Sequence, residues 1–236
     1  MLSKLETMLT EMNISDIPGK LSMFEEYMNG VLEWNNKVNI TSITNNEEFE
    51  VKHFCDSILC ADSPEIRGSE KILDLGTGGG FPGVPLAIIY PEKEFVLIDS
   101  SKKKIKIVEE LCKHIGCANV KTLHARSEEL AANKEYREQF DICVSRAVAN
   151  LTTLAEYCLP FVSVGGTFIA YKGPDAETEL NEARNAISIL GGNFNRDEQR
   201  SSLLGMEHHI LYIDKLRKTP TKYPRLAGKP RKFPLK

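Results

Sequence analysis

The 236-residue sequence contains no apolar run near the length of a membrane span, and its opening residues, Met1-Leu-Ser-Lys-Leu-Glu-Thr7, lack a basic segment followed by an apolar one. Both absences point to a soluble, cytoplasmic protein. The six cysteines (Cys55, Cys60, Cys112, Cys117, Cys143 and Cys158) form no C-x-x-C pair and have no histidine at zinc spacing, so no metal site is expected and buried thiols are. The absence of a C-x-x-x-C-x-x-C run also excludes an iron–sulfur radical centre of the corresponding type. Acids are missing from residues 215–236, which hold nine Lys or Arg; the whole chain carries −3, which leaves −12 on everything before them. Any affinity for an anionic partner is therefore expected from this end.

Hydrophobic residues make up 42% of the chain, ample for a core, and the length suits one large α/β domain with an extension or two small domains. The organising stretch is Lys71-Ile-Leu-Asp-Leu-Gly-Thr-Gly-Gly-Gly-Phe-Pro-Gly83, in which an apolar strand runs through Asp74 into a glycine cluster. Such a turn lets a ligand lie against main-chain atoms. Gly78-x-Gly80-x-x-Gly83 fits the dinucleotide pattern, and Asp74-x-Gly76-x-Gly78-x-Gly80 fits that of S-adenosylmethionine-dependent methyltransferases. Two features favour the second. Pro82 and Pro85 remove N–H donors that a pyrophosphate would use at the following helix N-terminus. Asp74 would repel a phosphate, whereas its carboxylate suits the amino group of a methionine moiety. Asp99, about twenty residues downstream at the end of the next strand, is placed to meet the hydroxyls of a cofactor ribose, with a plain strand-end acid as the alternative. No cysteine follows a proline, as the nucleophile of cytosine-C5 methyltransferases does, and no Asn/Asp-Pro-Pro-aromatic loop for gripping an exocyclic amine occurs.

Residues 3–36 read as helices, with apolar faces through Leu5, Met8, Leu9 and Met12 and then Leu21, Phe24, Tyr27, Met28, Val31 and Leu32, broken at Pro18-Gly19. Residues 47–60 return to helix, with His53 and Asp56 on one face as a pocket-mouth pair or a surface hydrogen bond. Ser63-Pro64 and Arg67-Gly68 read as a loop. The expected organisation is a helical extension over 1–68, a cofactor-binding domain over 69–214 and a basic, proline-rich tail over 215–236.

From Lys71 onward strands and helices alternate, which predicts a mostly parallel sheet with crossover helices and an antiparallel edge formed by residues near 194–204 and 208–214. Arg126-Ser-Glu-Glu129 follows the third strand, where main-chain N–H groups would hold an adenine. Phe140–Ala147 reads as the fourth strand and presents Arg146 at its substrate end, with a salt bridge to the acids of the pocket as the alternative. Lysines 102 to 104 open a helix against its dipole, as solvated surface or toward an anionic partner. In the tail, proline spacing predicts an extended segment whose cations beside Tyr223 and Phe233 suit phosphate contact and base stacking, with a merely solvated tail, or one packed back on the sheet through Tyr223, Leu226 and Phe233, as the alternatives.

Five motifs together resemble the bacterial small-subunit (16S) ribosomal RNA guanine-N7 methyltransferases, also called glucose-inhibited division protein B. They are Trp34-Asn-x-x-Val-Asn-Ile-Thr, His53-Phe-x-Asp-Ser, Asp74-Leu-Gly-Thr-Gly-x-Gly-Phe-Pro-Gly, Ser145-Arg-Ala-Val-Ala and Tyr223-Pro-Arg-x-x-Gly-x-Pro. The resemblance runs nearly end to end; Leu226 departs from it, standing where a second basic residue is expected. It implies a Rossmann-like class I methyltransferase sheet and a cofactor site including Gly76, Phe81, Ser127, Glu128 and Arg146, with Asp99 on the ribose. Together with the glycine-turn residues Asp74 and Gly78 these form the expected S-adenosyl-L-methionine site. Arg146 is the expected catalytic residue, and an RNA-facing role falls to Asn39, His53, Arg146 and the tail cations Arg225, Lys229 and Arg231. The implied partner of a monomeric enzyme is 16S ribosomal RNA, in the small subunit or its assembly intermediates. The competing function is a non-catalytic ribosome-associated or division-regulating protein that keeps a cofactor pocket.

Overall fold

The computed structural model describes residues 2–146, 149–201, 207–226 and 228–235. Its frame is a seven-stranded sheet made of Lys71–Leu75 (β1), Glu94–Asp99 (β2), Val120–His124 (β3), Phe140–Arg146 (β4), Val162–Lys172 (β5), Gly192–Ser201 (β6) and Glu207–Lys215 (β7). The strand order is β3-β2-β1-β4-β5-β7-β6, with β1 to β5 parallel and β7 antiparallel to both β5 and β6. The expected mostly parallel sheet with its antiparallel edge is therefore present. The order reverses beside β1, so the crevice at the strand ends opens next to the glycine turn.

Successive residues of the central strands face opposite sides, as a pleat requires. Ile72, Leu97 and Val144 join one buried cluster, and Leu73, Val96 and Cys143 join the other. The first cluster also takes in Leu5 and Leu9 of the helix Ser3–Glu11 (α1), Phe24 and Tyr27 of Ile17–Asn35 (α2), and Phe49, Phe54 and Ile58 of the segment that follows. The N-terminal helices thus share a core with the sheet and cover one of its faces. The opposite face is covered by Leu151–Cys158 (α8) and Ala176–Ile189 (α9). The numbers between are taken by Asn46–Phe49 (α3), Pro64–Gly68 (α4), Gly83–Ile89 (α5), Lys102–His114 (α6) and Ser127–Leu130 (α7). Among the described residues no helix is long and apolar enough to cross a membrane.

Three local readings are corrected. The break between the first helices falls before Ile17, because the Asp16 side chain caps α2 by accepting from Gly19 N at 3.3 Å, which leaves Pro18 in a first turn that needs no N–H. Residues 64–68 are helical, their first turn capped by Ser63 Oγ. The tail is not a free extended segment. Arg137 donates to the carbonyls of Thr219 (2.8 Å) and Tyr223 (2.9 Å), Tyr223 is buried, and a final turn at Lys229–Lys232 (α10) docks on α8 through Thr153 Oγ1 to Pro230 O at 3.2 Å.

Candidate active site

The glycine turn is fixed from below and from the side. Asp74 is fully buried, and its Oδ2 accepts from Thr77 Oγ1 at 2.6 Å and from Gly83 N at 2.8 Å. A Cβ on Gly83 would approach that same oxygen to 2.7 Å. Burial pushes the Asp74 carboxyl up to about 7 despite those two donors. Asp74 therefore orders the turn through Oδ2, while its Oδ1 is buried with no hydrogen-bond partner among the described residues. From the side, Tyr27 Oη donates to Gly79 O at 2.9 Å, and Gly80, at φ +89°, leaves no room for a Cβ beside that hydroxyl. Asp99 completes the frame, with Oδ2 accepting from Gly78 N at 2.9 Å and Oδ1 from Ser101 N at 2.7 Å.

Above the turn lies a cavity of about 660 Å³. Gly76, Gly78, Phe81, Asp99, Ser127, Glu128 and Arg146, seven of the eight residues expected to hold a cofactor, line it. Ile40, Thr41 and Thr77, which lie in the motifs without an assigned role, join them, as do Lys104 and Tyr157, the last of which the sequence did not single out. The Ser127 hydroxyl spends its proton on Tyr157 O at 2.8 Å, so toward a ligand the side chain only accepts and the donor is its main-chain N–H. A glycine floor, a carboxylate beside it and a cavity of this size fit an adenosyl cofactor with a ribose diol and no phosphate.

One end of the cavity is a built wall. His53, in the π-helical turn Glu50–Cys55, stacks on Phe81 with centroids 4.4 Å apart and planes 6° apart, and the Arg146 guanidinium lies 5.5 Å from the Phe81 ring centre. Arg146 donates to Lys52 O (3.0 Å), to His53 Nδ1 (3.3 Å) and to the Asp56 carboxylate. Because guanidinium only donates, Nδ1 of His53 is the acceptor and Nε2 carries the proton, which it donates to Thr41 Oγ1 at 2.8 Å. Burial, reinforced by the charge of Arg146, pushes the His53 pKa down to about 3. The imidazole is thus neutral at working pH. Burial alone would raise Asp56, but His208 Nδ1 at 2.9 Å and Arg146 outweigh it and hold the carboxyl below its ordinary value, while its hydrogen bond raises His208. The pair His53 and Asp56 that helical spacing put on one face is bridged by an arginine 93 and 90 residues away.

The residues expected to face RNA divide. Asn39 is exposed on the loop that carries Ile40 and Thr41 to the cavity. Lys229 and Arg231 are exposed, and Arg231 and Lys232 reach the cavity rim. Arg225 is spent internally: its backbone and guanidinium N–H groups bind the buried Glu156 carboxylate at 2.7 to 3.2 Å. Leu226, at the departure from the expected motif, is exposed.

Solved structures share this architecture. The O-methyltransferase from Bacillus cereus, in complex with SAH, superposes with a TM-score of 0.55 at 18% identity, covering 80% of this chain and 90% of that one. TYW2 from M. jannaschii, in complex with AdoMet, does so at 0.55 and 16%, covering 74% and 80%. In sequence the chain is 46% identical over 217 residues to the ribosomal RNA small subunit methyltransferase G of Clostridium novyi (strain NT), covering 92% of this chain and 89% of the relative. It is also 46% identical over 228 residues to that of Alkaliphilus oremlandii (strain OhILAs), covering 95% of each. The family model GidB, rRNA small subunit methyltransferase G, matches residues 20–201. The chain belongs to the GidB family of small-subunit ribosomal RNA methyltransferases.

Proposed function

We propose that the protein transfers a methyl group from S-adenosylmethionine to N7 of a guanine in 16S ribosomal RNA, acting as a cytoplasmic monomer on the small subunit or an assembly intermediate. The observation that carries this reading is the cavity on the glycine turn, which joins Asp99 at one side to the Phe81, His53 and Arg146 wall at another.

When bound, the cofactor supplies a methyl group on a positively charged sulfur, an electrophile that needs no further activation. N7 of guanine offers a lone pair and bears no proton, so the protein's task is alignment rather than proton removal. The wall is built accordingly. His53 is held neutral, with both ring nitrogens engaged, and Asp56 is held between Arg146 and His208, which makes neither a free base. Arg146 fixes this wall to the end of β4. Asp99 and the main chain at Gly76 and Gly78 would hold the ribose and methionine portions, and Ser127 and Glu128 the adenine.

Asp99→Ala should weaken binding of S-adenosylhomocysteine by about 1.5–3 kcal/mol, the value of hydrogen bonds to a charged group. Calorimetry checks this, with the parent binding that product and S-adenosylmethionine but not NAD. An Asp99→Ala protein that binds as the parent does removes Asp99 from the site. Transfer of labelled methyl to small-subunit RNA, with 7-methylguanine as product, tests the activity; label recovered at another atom contradicts the assignment to N7.

A further inference from the structure

We propose that a second cavity, across Arg146 from the cofactor site, receives the target guanine flipped out of the RNA, and that Glu179 reads its Watson–Crick edge. This rests on the reading of the protein as a guanine-N7 methyltransferase.

The second cavity measures about 670 Å³ and shares His53 and Arg146 with the first, so a base in it lies against the wall of the methyl-donor site. It sits at the C-terminal ends of β4 and β5, where Arg146 pairs in register with Tyr171. Its sides come from opposite faces of the sheet. His53 and Asp56 belong to the N-terminal helical segment, and Glu179 comes from the first turn of α9 on the other face.

Glu179 is held in a defined pose. Its Oε2 accepts from Leu151 N at 2.6 Å and from Lys172 Nζ at 2.7 Å, and Lys172 Nζ also donates to Ala149 O at 2.7 Å. The Lys172 side chain is 7% exposed and that of Glu179 26%. Lys172 is thus consumed as the anchor. Glu179 keeps a face to the cavity, and its Oε1 has no hydrogen bond among the described residues.

A carboxylate oxygen only accepts. Guanine presents N1–H and the N2 amino group side by side, a donor pair that suits such an oxygen. Adenine presents a lone pair at N1 and is repelled. N7 lies on the opposite edge of the purine, so a guanine with its Watson–Crick edge on Glu179 turns N7 back toward the Arg146 wall. From there its lone pair forms the new N–C bond as the S–CH₃ bond breaks and its electron pair returns to sulfur; no proton moves. The positive charge passes to the base. Extrusion into such a pocket is the usual route for chemistry on a base that a helix hides.

The test uses full-length parent and Glu179→Gln proteins with small-subunit RNA carrying either guanosine or inosine, which lacks the N2 amino group, at the mapped target. Glutamine keeps an oxygen for Leu151 N and Lys172 but offers an amide donor to the base. The parent should prefer guanosine by about tenfold or more, and Glu179→Gln should lose about tenfold to a hundredfold on guanosine while its preference collapses toward one. Affinity for S-adenosylhomocysteine should not change. The preference is a ratio and is independent of how much protein is folded. A variant with the parental rate, or one that is slower with the guanosine preference intact, overturns the assignment. A parent that makes no 7-methylguanine overturns instead the reading on which it rests.

Discussion

Arg146→Ala is expected to abolish measurable methyl transfer, a loss of about a hundredfold or more, and to destabilise the protein by about 3–5 kcal/mol, the cost of removing one partner of a buried ion pair. Three acceptors lose their donor together: Lys52 O, His53 Nδ1 and the Asp56 carboxylate. Asp56 keeps only His208, so its folded pKa should move up toward the ordinary carboxylate range. In the parent, Asp56 sits below that range when folded. Its contribution to stability is accordingly present above the unfolded pKa and is lost as pH falls through the folded value. The parent should therefore gain more stability than the variant as pH rises through the acid range. His53 also loses the hydrogen bond that fixes its stack on Phe81, so the wall between the two cavities loosens. Melting curves at several pH values and single-turnover transfer at a temperature where the variant is folded separate the two effects. A variant that melts with the parent and methylates at the parental rate would mean that Arg146 serves neither the wall nor the reaction.

Truncation after residue 216 should have the second large effect, again of about 3–5 kcal/mol, because it strips Arg225 from Glu156 and leaves an unpaired buried carboxylate. The Glu156 side chain is only 1% exposed. Thr219, whose hydroxyl bonds Lys215 and donates to Leu190 O at 2.7 Å, goes with it, as do the carbonyls that hold Arg137. Cofactor affinity should also fall, since Gly228, Arg231 and Lys232 line the cavity rim. Replacing Lys229, Arg231 and Lys232 with alanine isolates the electrostatic part, for these side chains are exposed and make no ion pair among the described residues. That variant should melt as the parent does, and the log–log salt dependence of its RNA binding should flatten by about 0.7 to 0.9 for every phosphate these cations neutralise in the parent. A truncated protein with parental melting and cofactor affinity contradicts a packed tail.

The fold was legible because strand, glycine turn and helix signals repeat along the chain, and because local spacing governs them. Asp99 could be found by its distance from the glycines, since one crossover helix fixes how far the next strand end lies from the turn. What stayed hidden depends on interactions between distant segments. Tyr27 reads as one more apolar residue of a helical face, yet its hydroxyl holds Gly79 from 52 residues away. Asp74 fits a ligand motif, but nothing in its spacing shows that one of its oxygens also ties Thr77 and Gly83 into the turn. A packed tail stands in the sequence only as the alternative to an extended basic arm, because nothing near Arg225 announces the carboxylate on α8 that neutralises it. Glu179 looks like an ordinary first-turn acid until Lys172 and Leu151 are brought beside it by the sheet.

The most direct measurement is the map of 7-methylguanine in small-subunit RNA from cells with and without this protein. Deletion should remove the modification at one guanine, and restoring the parent chain, but not Arg146→Ala, should return it. An unchanged map from cells without the protein, alongside a purified protein that still binds S-adenosylmethionine, would contradict the account.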